Sequence, residues 1–194
     1  CFNGHFDVGL SERGQKQFQH WTEILKQENF KAIYSSDLQR TRNSAQFIAK
    51  EHNLEVVSYS ELRELSFGTW EGMSVSKVES TYPGQMKERM RSVATFQADG
   101  GETYPQLQAR VIPRFEEIVA RHTNDQIAMV CHGGVNRVIL GHLLGIPIDK
   151  IFRVHQDYAA LNIIQFYDQE PVVEYIGNAE LFSSQKDEIK TAIQ

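Results

Sequence analysis

The chain has only two cysteines, five prolines and no apolar run of membrane-spanning length in its 194 residues. Cys1 and Cys131 form neither a Cys-x-x-Cys pair nor a zinc-like spacing with histidine, so no disulfide scaffold, metal or other cofactor is expected. So few cysteines fit a reducing compartment, and a cytoplasmic location with no membrane partner is expected. An excess of basic residues is also missing: 20 Lys and Arg stand against 25 Asp and Glu, a formal net charge of -5. That balance argues against a general nucleic-acid binder, which carries a basic surface, but leaves room for a local cationic pocket. The opening Cys-Phe-Asn-Gly-His-Phe-Asp has no initiator methionine and no signal-peptide pattern. The chain is therefore expected to begin partway through a protein.

No repeat, low-complexity tract or Pro/Gly-rich linker divides the sequence, which reads as one domain over 1–182 followed by a polar tail at 183–194. Ser11 opens a helical pattern with Phe18, Trp21, Ile24 and Leu25 on one face. Residues 31–35 read as a short buried strand, followed by a helix from Asp37 with Leu38, Ala45, Ile48 and Ala49 inward. Residues 54–59 have strand character, and 68–101 read as loops and short helices. Thr103 is placed to cap a long helix to about His122. Residues 127–131 form an apolar run expected as a central strand, before a helix at 135–144. Two late strands, 161–167 and 172–176, flank a turn. Alternating strands and helices predict a three-layer α/β/α sandwich with a mostly parallel central sheet.

Such sheets bind ligands beyond the carboxyl ends of their strands. Two strand-to-helix junctions carry suggestive chemistry there. In Ser35-Ser36-Asp37-Leu38-Gln39-Arg40-Thr41, serine or aspartate is placed to cap the helix, and Arg40 sits in its first turn. Free N–H groups and a guanidinium fork suit phosphate; the bland alternative is a capped helix with solvated arginines. In Val130-Cys131-His132-Gly133-Gly134, the glycines allow close backbone approach and His132 stands at the strand end. The same segment matches Cys-x5-Arg through Cys131 and Arg137, the pattern of a cysteine-dependent phosphatase. A buried structural cysteine and a packing arginine are the plainer reading.

The resemblance is carried by five segments in order. They are Asn3 to Gly14, Ser35 to Thr41, Leu62 to Gly72, Gly100-Gly101-Glu102-Thr103 and Val130 to Gly134. Together they resemble the histidine phosphatase (phosphoglycerate mutase-like) superfamily, on its phosphatase branch. The resemblance implies a metal-independent phosphomonoesterase acting through phosphohistidine on a small phosphorylated metabolite, such as a sugar phosphate or α-ribazole phosphate. It implies that Arg40 and His132 hold the phosphoryl oxygens and that Glu64 is the proton donor. Asn3, Gly4 and Gly133 fall at ligand-contacting positions. Glu71 is a second acid in the same segment, and Glu64 matches the acid position better.

One part is missing. The Arg-His-Gly motif that carries the attacking histidine in this family is nowhere in the chain, and His5 sits in a different motif. The resemblance places that motif, with its strand, just upstream of Cys1. A polypeptide without it is expected to turn over negligibly and to lack a central strand. A phosphoglycerate mutase fits less well, because such mutases carry a longer basic insertion before the Gly-Glu helix. Here Lys77, Lys87, Arg89 and Arg91 are the basic residues between Gly72 and Gly101, either a solvated face or contacts to a substrate's distal group. Trp70, Met73, Tyr82 and Met86 are read as lid or packing residues. A non-catalytic phosphate-binding module is the alternative of another class, and a homodimer is left open.

Overall fold

The computed structural model describes residues 1–168 and 170–177. The tail expected at 183–194, and the end of the domain boundary at 182, lie outside the described residues. Five strands and six α-helices follow in the order α1 Glu12–Leu25, β1 Phe30–Ser35, α2 Gln39–Glu51, β2 Val56–Ser58, α3 Val75–Thr81, α4 Gln85–Arg91, α5 Tyr104–Ala120, β3 Gln126–Val130, α6 Gly133–Leu143, β4 Leu161–Tyr167 and β5 Glu170–Gly177. No helix among the described residues is long and apolar enough to cross a membrane.

The parallel sheet has the order β2-β1-β3, with Ile33 opposite both Val56 and Ala128. Strand periodicity of two explains the layers. Ile33, Ala128 and Val130 pack with Ala45, Ile48 and Ala49 of α2 and with Phe18 and Leu25 of α1. Ala32, Tyr34, Ile127 and Met129 turn to the other side, toward Leu62 and Ile118 of α5. The largest cluster joins α5 and α6 through Leu107, Val111, Phe115, Val135, Val138 and Ile139. The expected sandwich is therefore present.

One expectation changes. Residues 127–131 read as a central strand because they are apolar, and the strand itself spans Gln126–Val130. β1 is the central strand of the described sheet, and β3 is at its edge with most of its residues only half-buried. β4 and β5 form a separate antiparallel hairpin. Ile164 and Phe166 of β4 nevertheless pack on the same α5–α6 cluster as Met129 and Cys131. Apolarity is what this shared helical floor required, and it did not report the number of strand partners.

Local signals fix the helix ends that aim the site. Ser11 Oγ accepts from Gly14 N–H to start α1. Thr103 and Gln106 form a reciprocal capping box at α5, as the sequence predicts. Gly145, at φ 65°, follows the last turn of α6 in the left-handed region that glycine occupies without a Cβ penalty.

Candidate active site

The first junction is organised by a serine whose role the sequence did not disclose. Ser36 is fully buried between β1 and α2. Its hydroxyl accepts from Leu38 N–H at 3.2 Å and lies 2.6 Å from Thr41 Oγ1 and 2.8 Å from His132 Nε2. It thus ties the start of α2 to the second junction. The expectation that Ser or Asp of this junction caps α2 requires correction. The N-cap is Leu38, which has no capping side chain, and Asp7 from the N-terminal loop accepts from Gln39 N–H at 2.8 Å. Asp37 instead takes Arg63 in a bidentate pair at 2.7 and 2.6 Å, which holds its carboxyl below the usual range. Glu64 is consequently not the partner of Arg63.

The second junction places His132 as the N-cap of α6 in extended backbone, with no capping bond from its own side chain. Glu64 fills that role from a distant segment. Its Oε2 accepts from Gly134 N–H at 2.9 Å and its Oε1 from Leu65 N–H at 2.8 Å. A carboxylate at a helix N-terminus is favoured by the orphan amides and the helix dipole. The glycine is obligatory for this approach: a Cβ on Gly134 would stand 2.1 Å from Glu64 Oε1. A Cβ on Gly133 would stand 3.1 Å from a terminal nitrogen of Arg137.

His132 is 7% exposed. Burial, reinforced by the positive charge of Arg40, pushes its pKa well below the ordinary 6.5, so the ring is neutral at pH 7. The tautomer that accepts the Ser36 hydroxyl proton on Nε2 carries its own proton on Nδ1. That nitrogen has no partner among the described residues and is free to donate.

Arg40 lies in the first turn of α2, as expected. Its guanidinium donates to the carbonyls of Asn3 at 2.8 Å, Gly4 at 2.7 Å and Phe6 at 3.1 Å. Asn3 and Gly4 therefore meet the site through their backbone, wrapped around the arginine. That loop is held from behind by Glu71, which accepts from the N–H groups of Gly4, His5, Phe6 and Phe67 at 2.8 to 3.0 Å. Arg110 of α5 plays the matching part for Glu64. It donates to the carbonyls of Glu61, Arg63 and Glu64 at 2.7, 2.7 and 2.8 Å and pairs with Glu102. Little in the local sequence of Glu71 or Arg110 signals these roles, since apart from Phe67 and Glu102 their partners are 46 to 67 residues away. Glu71 adjoins Trp70 in a segment already singled out, which is the nearest thing to a signal.

The remaining candidates separate cleanly. Burial pushes the Cys131 thiol up to about 12, with the Glu64 charge adding to it, which suppresses the thiolate that a cysteine phosphatase requires. Arg137 donates through Nε to Val154 O at 2.9 Å. Trp70 is fully buried among Val78, Ala98 and Phe96, with Met73, Tyr82 and Met86 around it, so these residues are packing rather than a lid. His5 Nε2 is buried without a hydrogen bond, 3.9 Å from Glu102. Among the described residues no group of His, Cys, Asp and Glu has metal-site geometry.

Arg40, His132 and Glu64 thus gather at the carboxyl edge of a parallel sheet, two of them donors suited to a phosphoryl group and one an acid. The histidine phosphatase superfamily (branch 1) matches residues 1–179, and the chain belongs to this family. It is 32% identical over 172 residues to phosphoserine phosphatase 1 of Hydrogenobacter thermophilus, spanning 89% of this chain and 82% of the relative. It is 29% identical over 154 residues to a glucosyl-3-phosphoglycerate phosphatase of Mycolicibacterium vanbaalenii, spanning 76% and 68%. The mycobacterial glucosyl-3-phosphoglycerate phosphatase solved with VO3 superposes with a TM-score of 0.82 at 26% identity, covering 91% of this chain and 90% of that one. The α-ribazole phosphatase from Shigella flexneri, at 22% identity and a TM-score of 0.81, covers 92% and 88% and shares the fold. These relatives are phosphatases by name, in agreement with the phosphoric monoester hydrolase class that the motifs imply.

Proposed function

We propose that the protein hydrolyses small phosphomonoesters through a phosphohistidine intermediate. The observation that carries this reading is the convergence of Arg40, His132 and Glu64 from three separate segments on one end of the sheet. The attacking group is the histidine of the family's Arg-His-Gly motif, which these 194 residues do not contain. Arg40 and the Nδ1 proton of His132 hold the phosphoryl oxygens as charge builds on them. Glu64, entering protonated, gives its proton to the departing alkoxide; as a carboxylate it then takes a proton from the water that cleaves the phosphohistidine. No metal has a part in these steps.

The outer edge of β3 has no partner among the described residues, and the β4–β5 hairpin packs on the same helices. The substrates named for relatives, phosphoserine and glucosyl-3-phosphoglycerate, are the first to assay.

A protein that carries this chain together with an Arg-His-Gly segment is expected to hydrolyse p-nitrophenyl phosphate with and without chelator and to yield an acid-labile phosphoenzyme on quenching. His132→Ala and Glu64→Gln are each expected to lower turnover by orders of magnitude. Vanadate binding without any turnover would replace this reading with that of a phosphate-binding module.

A further inference from the structure

One histidine that the proposed reaction does not use stands in the loop around Arg40. The carbonyls of Asn3, Gly4 and Phe6, on both sides of His5, accept from the Arg40 guanidinium, and the His5 N–H is held by Glu71 at 2.9 Å. With the backbone fixed on both sides, the ring reaches toward Glu102, just before α5. Its Nε2 is buried and makes no hydrogen bond, while the side chain as a whole keeps 35% of its surface open to solvent. Glu102 Oε2 stands 3.9 Å from that nitrogen, within reach of an ion pair and beyond a hydrogen bond. The same oxygen already accepts from Arg110 at 2.8 Å and from Ser66 N–H at 2.9 Å, so a neutral ring finds no free lone pair there. An unpaired buried nitrogen is unfavourable, whereas a charge on the ring gains from the carboxylate without needing a hydrogen bond.

Charged and titratable groups face His5 from every element around it. Glu102 pairs with Arg110 of α5, Asp37 of the β1–α2 junction pairs with Arg63, and Glu71 is taken by four backbone N–H groups. Arg40 of α2 is answered less fully: among the described residues it is held by carbonyl oxygens and by no carboxylate, with Glu64, Asp7 and Glu71 acting only at longer range. Arg40 thus sets a positive charge beside the histidine that opposes a second one on the ring. A phosphoryl dianion at Arg40 reverses that sign. The His5 charge reaches Asp37, Glu102 and His132, so the ring lies between the two strand-to-helix junctions and α5. Burial keeps His132 neutral, and of the two histidines His5 has the surface open to water from which a proton arrives.

We propose that His5 takes a proton from solvent when a phosphoryl dianion settles on Arg40, and that the imidazolium then lies between the dianion and Glu102, coupling anion affinity to pH. The inference rests on the reading of Arg40 as a phosphoryl-binding residue. Its test uses a protein that carries this chain together with an Arg-His-Gly segment, with tungstate, a tetrahedral dianion that carries no proton near neutral pH. Long-range 1H–15N spectra of the histidine rings are expected to show the imidazolium fraction of His5 rising as tungstate saturates the site. By calorimetry, tungstate binding should weaken with rising pH more steeply in the parent than in His5→Gln, by up to about tenfold per pH unit, the limit for one coupled proton. His5→Lys, with a fixed charge, should share the flatter slope and bind more tightly than His5→Gln. A His5 ring that does not respond to tungstate would overturn the inference without any variant, as would equal slopes in the parent and His5→Gln. A slope lost in His132→Gln and kept in His5→Gln would assign the proton to His132 instead. Tungstate binding with His5 unresponsive would sink this inference alone; no tungstate binding at all would remove the phosphoryl-site reading with it.

Discussion

Replacing Glu71 by glutamine is expected to loosen the N-terminal loop without removing any group assigned to the chemistry. Each carboxylate oxygen accepts two backbone N–H groups, Gly4 and Phe6 on Oε2, His5 and Phe67 on Oε1. Glutamine keeps one carbonyl oxygen and turns an NH2 group toward two donors, which then lose their acceptor. Hydrogen bonds to a charged group contribute about 1.5–3 kcal/mol each, and water reaching this partly exposed loop reduces that to roughly 1 kcal/mol. Two lost bonds and two weakened ones then cost about 2–3 kcal/mol, which for a chain of this length lowers Tm by about 4–12 °C. Because Asn3 and Gly4 hold the Arg40 guanidinium through their carbonyls, KM should rise while Glu64 chemistry persists. Thermal denaturation at neutral pH, with amide hydrogen exchange at Gly4, His5 and Phe6, reads both effects. A Tm within about 1 °C of the parent, too small for even one lost bond, together with unchanged exchange protection would refute the anchoring role.

Glu64→Gln should lower kcat by roughly 10²- to 10⁴-fold, the usual worth of a general acid, with a much smaller loss of stability because the amide oxygen still caps α6; comparable loss in both would make Glu64 a cap alone. His132 carries a pH signature. Its folded pKa lies below the ordinary value, so the unfolded chain binds the extra proton; its stability contribution is complete above about 6.5 and is lost as pH falls below that, toward the folded pKa. Denaturant titrations of His132→Gln should lack this acid-side decline, and an identical decline in both proteins would assign it elsewhere. Ser36→Ala should cut kcat/KM by about tenfold by releasing the His132 tautomer, a change near 1.4 kcal/mol, with Ser36→Thr tested for partial rescue. Cys131→Ser should retain turnover, and the parent should resist iodoacetamide; activity lost with alkylation would revive the cysteine mechanism.

Helix starts at Ser11 and Thr103 were legible because capping is a contact between neighbours in sequence. The strand-to-helix junctions at Ser35 to Thr41 and Val130 to Gly134 were legible for a similar reason, since a short apolar run followed by small residues and a helical pattern is local information. Arg40 and His132 could be singled out because each lies in such a segment, whereas Glu64 stood out only through the family resemblance of the segment Leu62 to Gly72. The sequence could not show that Glu64, and not a residue of the junction, supplies the cap of α6, nor that Asp7 caps α2, because both contacts join segments separated by loops. The two acids of one segment illustrate the division. Their spacing alone separates neither role; the fold turns Glu64 to the amide at Gly134 and Glu71 to the loop around Arg40.

By itself, then, the sequence determined the layered α/β pattern, the family, and which residue types stand at the strand ends, because hydrophobic period and turn chemistry are written locally. Only the tertiary structure decided what each of those residues faces. Burial made His132 neutral, the approach of Gly134 gave Glu64 its place, and the packing of α4 and α6 set Arg89 and Arg137 against the Phe152 ring. Those are consequences of desolvation and long-range contact, which no local pattern encodes.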